Sequence, residues 1–397
     1  MRPLSNLVVA VLAALGAPLA LHAQIVAPAK SPKASLVGCS WQEIGRFTNL
    51  APRALAIGND GALLLAADDF TDAAHPALVT LRQSGPGASW ETVDRYLPSG
   101  AHSSGARALH VDDDGNVFVL GWVTANDRQQ LVLRRSFGDG TAGTWESGEA
   151  QWPGSAGGAL GSDDDGRIYV AYGFAGTTGV GWRVESALRG IGAFAPEDEA
   201  TFSGAFGVLP QDFERQKDGT LVVAGQLDGS PDEWVVRSRG RRSGAALPWK
   251  TIDRFQLAPN SYGLAPRGIV STPDGRLLVA GLGVRGGGSD DYQWLERWQN
   301  ARGKWKTVAY QLAQGFNAFA QDAAATRSGV AVLGVGATPT GNSLVLREST
   351  NGGTRWETAL QLAGITDPWT ARLAVSTASA AVTASLQGAA VVLGCNR

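Results

Sequence analysis

The sequence has no excess of either charge: 34 basic residues face 36 acidic ones, for a formal net charge of -2. Without an extended cationic surface, neither nucleic acid nor an anionic membrane is an expected partner. Long apolar runs are also missing apart from one at the N-terminus, so no later segment can span a bilayer. Methionine occurs once and cysteine twice, against 52 glycines and 13 tryptophans. That balance points to many turns and strands rather than to packed helices. A chain of 397 residues is long for one ordinary core but normal for a repeat fold, so length alone does not impose two domains.

The one apolar run, Leu7 to Leu21, follows Arg2 and ends in LHA before Gln24. It reads as a secretory signal peptide over residues 1–23, cleaved after Ala23, which predicts a secreted or periplasmic protein that is soluble after processing. Leu36 to Cys39 spell LVGC, the letters of a lipoprotein box. Such a box abuts the apolar run, and here AQIVAPAKSPKAS intervenes. Residues 24–38 read as a linker and 39–397 as a single domain.

Within that domain seven segments align: ALLLAADD from Ala62, NVFVLGWV from Asn116, RIYVAYGF from Arg167, TLVVAGQL from Thr220, RLLVAGLG from Arg276, GVAVLGVG from Gly329 and AAVTASLQ from Ala380. Most follow a turn of the form NDG, DDDG, KDG, PDG or RSG, and their spacing is 51 to 56 residues. Each reads as a strand buried on both faces after a hairpin turn. A strand such as ARALAI precedes the turn, one such as LVTLR or WVVRS follows, and a fourth opens with Trp, as in WETVDRY at Trp90 and WKTIDRF at Trp249. In one repeat Phe194 stands where that Trp is expected. Four antiparallel strands per repeat make a blade, and seven repeats predict an all-β, seven-bladed β-propeller.

The last repeat stops after three strands, while SWQEIGRF at Trp41 is an orphan Trp strand at the beginning. Joined, they complete the seventh blade and leave no free edge. In that alignment Cys39 and Cys395 flank the hairpin turn that the other blades make with continuous chain. A disulfide there replaces the missing turn, as an exported compartment permits; two separate buried thiols are the alternative.

STNGGTRW, Ser349 to Trp356, resembles the Asp-box of the BNR repeats of sialidases and other propellers, Ser-x-Asp-x-Gly-x-Thr-Trp. Ser349, Gly353 and Trp356 match, with Asn351 for the Asp and Arg355 for the Thr. SFGDGTAGTW from Ser136, SGPGASW from Ser84 and NARGKW from Asn300 are degraded copies. The resemblance implies a scaffold role: the box caps the hairpin between the third and fourth strands, and its Trp packs between strands. A feature repeated in nearly every blade is scaffold rather than catalyst, because chemistry needs one asymmetric site. Arg82, Arg134, Arg237, Arg297 and Arg347, just before the boxes, share that reading.

The resemblance also implies that ligands occupy the face opposite the boxes, over the central channel. Eight residues before each turn glycine stand Arg53, Arg107, Gly158, Gln211, Arg267 and Gln321, with Arg372 at the corresponding place in the last repeat. Such a ring of donors either grips a carboxylate, since guanidinium forks match its two oxygens, or pairs with loop carbonyls and acids. Sialidases use three arginines for a carboxylate, but no Arg-Ile-Pro segment and no Tyr–Glu nucleophile pair is found here. His75 and His102, near Asp68, Asp69 and Asp72, are a second candidate group for acid–base or ligand contacts, without a recognised metal-ligand spacing. Tyr262, Tyr292 and Trp369 are a third, where planar rings stack on sugars or pack among loops. The DDDG turns at Asp112 and Asp163 read as solvated hairpins rather than calcium sites. These readings predict a monomeric binding module for a glycan, peptide or protein, with no metal and no cofactor. A carbohydrate-active enzyme, sialidase-like hydrolase or polysaccharide lyase, is the alternative.

Overall fold

The computed structural model describes residues 35–396 apart from 154–155, 177–178, 243–244, 260, 285–291, 311, 313–315 and 377. The expected signal peptide and residues 24–34 of the expected linker lie outside the described residues. Seven four-stranded antiparallel sheets form the blades of a β-propeller, and in each the strands, A to D, are neighbours in order. Blade 1 comprises Leu50–Ile57, Leu63–Asp69, Ala77–Gln83 and Trp90–Tyr96. Blade 2 comprises Ser103–Val111, Val117–Ala125, Arg128–Ser136 and Trp145–Pro153. Blade 3 runs through Ala156–Ser162, Arg167–Gly176, Gly179–Leu188 and Ala195–Thr201. Blade 4 runs through Gly207–Arg215, Leu221–Asp228, Glu233–Arg239 and Lys250–Phe255. Blade 5 is built from Tyr262–Ser271, Leu277–Val284, Tyr292–Gln299 and Trp305–Tyr310. Blade 6 is built from Ala318–Ala325, Val330–Thr338, Gly341–Ser349 and Glu357–Ala363.

Blade 7 joins both ends of the chain. Ile365–Val375, Ser379–Leu386 and Ala389–Asn396 supply strands A to C, and Gln42–Phe47 supplies strand D. The N-terminal strand pairs antiparallel with the C-terminal one, from Gln42 opposite Gly394 to Phe47 opposite Ala390. Cys39 and Cys395 are disulfide-bonded across the missing turn, with Cα atoms 6.2 Å apart. Ser35 and Leu36, which the sequence places in a linker, pack onto the propeller. The Leu36 side chain is fully buried in the core shared by blades 6 and 7, its N–H donates to Glu348 Oε2 at 2.7 Å, and Ser35 Oγ donates to the same oxygen.

Strand B is the buried strand of each blade, as its unbroken apolar run requires: Leu65, Val119, Val170, Val223, Val279, Val332 and Val382 are completely inaccessible. The turn glycines that precede it, Gly61, Gly115, Gly166, Gly219 and Gly275, have φ between +73° and +85°, a region open to glycine and costly for most other residues. The A strands of neighbouring blades face one another around a central channel.

The Trp-led strand D and the arginine of strand C lock neighbouring blades together. Arg134 of blade 2 donates two bonds to Asp94 of blade 1, at 2.6 and 3.0 Å, and its guanidinium lies 4.5 Å from the Tyr96 ring. Arg237 holds Asp198 in the same bidentate way. Arg297 does so with Asp253 and covers Phe255 at 4.4 Å. Each also donates to a hydroxyl of its own strand D: Ser147, Thr251 and Thr307. The WxTVDxY pattern therefore has a physical reading, in which Thr holds the arginine of its own blade while Asp and the aromatic receive that of the next.

Two of the departures from it have visible reasons. Strand D of blade 7 has Gly45 where the Asp would stand, and Arg82 turns instead to Asp60 and the Asp139 carbonyl. Blade 5 reads WKTVAY, one residue short, and lacks the bulge that strand D carries in blade 1. There Arg347 covers Tyr310 at 3.7 Å and reaches Glu296 at 3.4 Å.

Candidate functional site

A cavity of about 610 Å³ opens at the inner strands, and Arg53, Arg107, Gln211, Arg267, Gln321, Arg372 and Trp369 all line it. The ring expected from the sequence is therefore assembled in space. Its geometry comes from β-bulges: Arg53, Arg107, Gln211, Arg267 and Gln321 are each the extra residue of a register shift in strand A. A bulged residue leaves the ladder, and its side chain is re-aimed, here into the channel.

The bulge has a partner on strand B. Gly121, Gly225, Gly281 and Gly334 stand opposite the residue just before it, where a Cβ would meet a strand-A carbonyl oxygen at 2.8, 3.0, 2.2 and 2.4 Å respectively. The glycine of VLGW, VAGQ, VAGL and VLGV is thus the sequence mark of the bulge. It was legible, though the repeat alone did not reveal its purpose. In blade 7 the shift is longer, from Asp367 to Arg372, and places Trp369 at the cavity.

The channel arginines are held unequally. Arg53 donates from Nε and Nη2 to Asp68 Oδ2, both at 2.8 Å, and Asp68 Oδ1 also accepts the Ala106 N–H at 2.8 Å. Arg372 donates to the carbonyls of Arg53, Trp369 and Ala371. Arg267 has one long bond, Nη1 to Gln211 Oε1 at 3.4 Å, and its buried Nε has no acceptor. Nor does the buried Nε2 of Gln321. The Arg107 guanidinium makes no hydrogen bond or ion pair among the described residues. Enclosure by the channel walls lowers the proton affinity of Arg107 and of Arg372, and takes Arg267 down to about 10, the neighbouring charge of Arg372 adding to the effect. All three stay cationic at neutral pH.

Three carboxyl groups that sequence reasoning did not single out also line the cavity: Asp212, Glu214 and Asp322. Each accepts a backbone N–H from the next blade: Asp212 from Ile269 at 2.7 Å, Glu214 from Ser271 at 2.9 Å and Asp322 from Leu373 at 2.9 Å. The repeated pair QD, at 211–212 and 321–322, was the signal for Asp212 and Asp322 in the sequence. All three are half-buried by accessible surface, yet channel walls crowd them on every side. That enclosure raises Glu214, pushes Asp322 up to about 6 and Asp212 well above the ordinary carboxylate range, the charge of Asp322 adding to the rise at Asp212. Protonation of these groups as pH falls leaves the arginines to set the field of the cavity.

The other candidates lie elsewhere. His75 is exposed in the B–C loop of blade 1, with Nδ1 3.1 Å from Asp72 Oδ2. His102 is exposed in the following inter-blade loop, its backbone N–H donating to Thr124 O at 2.9 Å. Asp68 and Asp69 are committed to Arg53 and Arg95. No group of three or more His, Cys, Asp or Glu able to hold a metal ion occurs among the described residues. Tyr262 is half-buried at the start of blade 5, and neither it nor either histidine lines the cavity. Trp369 is 39% exposed, stacks on Phe319 with centroids 5.1 Å apart, and has Arg267 5.7 Å from its ring.

The turn at Ser349 is a set of caps. Ser349 Oγ accepts the Gly353 N–H and Asn351 Oδ1 the Arg355 N–H, both at 2.8 Å, while Trp356 packs against Trp298 and Arg347. The DDDG turns are self-satisfied in the same manner: Asp112 accepts two bonds from Asn116, and Asp163 caps the N–H groups of Asp165 and Arg167.

Fold and site together define a seven-bladed propeller with an arginine-rich cavity at its axis. Similar folds occur among solved structures. An ulvan lyase of polysaccharide lyase family PL25, bound to -[GlcA(1-4)Rha3S]-, has a TM-score of 0.60 at 12% identity, the match covering 88% of this chain and 95% of that one. The polysaccharide lyase Uly1 has a TM-score of 0.54 at 8% identity, over 93% of this chain and 94% of the other. The endosialidase of phage phi92 has 0.53 at 8% identity, over 91% and 70%. At such identities the likeness is one of fold. No protein-family model and no curated protein sequence matches the chain.

Proposed function

We propose that this chain is an exported, monomeric propeller that recognises an acidic glycan, holding a carboxylate of the ligand against Arg107 and Arg267. The observation that carries the reading is the pair of cations with unmet donors in a cavity of small-ligand size: among the described residues Arg107 has no partner and the buried Nε of Arg267 has no acceptor. A guanidinium without an internal acceptor is matched by an external carboxylate, which takes two of its donors at once. Export rests on the N-terminal apolar run and on the disulfide. The Asp-box assignment of the Ser349 turn belongs to the same reading.

Binding without turnover is favoured by the character of the cavity's titratable groups. The described residues that line it include no histidine, tyrosine, serine or cysteine, and the three carboxyls each cap a neighbouring blade. General acid–base chemistry needs a group free to exchange a proton with the substrate. A second reading, a lyase or glycosidase, draws on the carbohydrate-active enzymes of similar fold and on Asp322 near the arginines. Titration calorimetry with glucuronate-containing oligosaccharides tests the first: binding is expected, and Arg107→Ala weakens it. Release of unsaturated uronate or of sialic acid by purified protein would establish the second.

A further inference from the structure

The cavity is not symmetric about the propeller axis. Around blades 1, 5, 6 and 7 its described lining comes from strand A alone. Beside blade 3 it reaches further out, to Gln129 and Leu131 on strand C of blade 2 and to Gln226 on strand B of blade 4. The cause is local. Blade 3 carries Gly157 and Gly158 at the register shift where other blades carry arginine or glutamine. A Cβ at Gly158 would fall 2.4 Å from Leu120 Cδ2, and one at Gly157 would fall 3.0 Å from the Leu209 Cα. The packing of the two neighbouring blades thus disfavours a side chain here, and the ring has a gap.

The chemistry changes across that gap. On the far side stand Arg53, Arg372 and Arg267, and Arg107 flanks the near edge. Further out, past strand A, the polar side chains are the neutral amides Gln129 and Gln226, while Asp212 and Glu214 line strand A of blade 4. Gln129 is exposed and its side chain makes no hydrogen bond among the described residues. Gln226 lines the cavity and donates Nε2 to Asp228. Amides donate to and accept from hydroxyls equally well and give an anion no net charge to meet.

We propose that the gap is a second subsite, so that the ligand is a chain with a direction: an acidic sugar sits against the arginines, and the adjoining neutral sugar leaves through the blade 3 gap between Gln129 and Gln226. This rests on the acidic-glycan reading and adds to it that a lone sugar acid fills only part of the site. Calorimetry with glucuronate and with a tetrasaccharide alternating glucuronate with a neutral hexose residue tests it, using the full chain with its disulfide. The tetrasaccharide is expected to bind at least tenfold more tightly than the monosaccharide, and Gln129→Leu is expected to bring the ratio of the two affinities close to one. Circular dichroism and the Tm of the variant verify that it is folded. Equal affinities in the unaltered protein, or an unchanged ratio in Gln129→Leu, would overturn the second subsite while leaving the acidic-glycan reading in place. Failure of both ligands to bind would overturn both.

Discussion

Two sets of arginines recur in this propeller, and they live in opposite circumstances. On strand C, Arg134, Arg237 and Arg297 each meet a carboxylate of the preceding blade with both arms and a hydroxyl of their own blade with a third nitrogen. On strand A, Arg107 has no hydrogen-bond or ion-pair partner among the described residues and Arg267 has one long contact. Residue type is the same in the two places; the supply of acceptors differs, and of the channel arginines only Arg53 and Arg372 find close ones within the described residues. A cation whose acceptor is encoded in the same repeat is part of the scaffold. One whose acceptor is missing from the chain is open to a ligand.

The largest effect should come from the scaffold set. Arg134→Ala leaves Asp94 buried without its counter-charge, and removing one partner of a buried pair costs about 3–5 kcal/mol. Urea unfolding is expected to show that loss. A change below ~1 kcal/mol would mean that the pair behaves as a surface ion pair and that the contrast drawn here is false. In the channel the same substitution should behave otherwise. Arg107→Ala is expected to leave stability within about 0.5 kcal/mol and to weaken binding of a glucuronate oligosaccharide about 10- to 150-fold, the worth of a hydrogen bond to a charged group. Large destabilisation with unaltered affinity would make Arg107 a scaffold residue.

A smaller effect follows from the carboxyl groups of the channel. The folded value of Asp322, about 6, lies above its ordinary value of 3.8. Its stabilising contribution is therefore complete below the ordinary value and is lost as pH rises through about 6. Anion affinity has the same sign, because protonation removes a negative charge from the cavity, so binding should tighten as pH falls through 6. Asp322→Asn should flatten that profile; a profile unchanged in the variant would remove Asp322 from the account. The smallest expected effect concerns Arg347 and Glu296, one of the departures from the strand C pattern. Burial takes Glu296 up to about 7 and also lowers Arg347, even though the two are 3.4 Å apart. Burial therefore outweighs their attraction. Stability from protonated Glu296 should decline as pH rises from its ordinary value of 4.5 through about 7, and Glu296→Gln should remove that part of the pH dependence of Tm.

Much of this was legible in the sequence because it is periodic. The strand-B runs, the turn glycines and the orphan Trp strand specify seven blades and their closure, and Cys39 and Cys395 fall where that closure needs them. The ring positions were legible as well, since each has a fixed offset from a turn glycine. Their acceptors were not. Whether Arg107 is free while Arg53 is bound depends on Asp68, which arrives from another strand. Asp212 and Asp322 likewise act across a blade boundary, on Ile269 and Leu373. Leu36 was read as linker because a single apolar residue in a short segment has no period. Gly158 is the one ring position without a side chain, and only packing against Leu120 shows why it stands there.

A crystal structure of the protein soaked with a glucuronate-containing oligosaccharide tests the central claim most directly. The account predicts a carboxylate within hydrogen-bond reach of Arg107 and Arg267 at the axis of the propeller. A ligand bound at the Ser349 turn, with the axial cavity left to solvent, would contradict it.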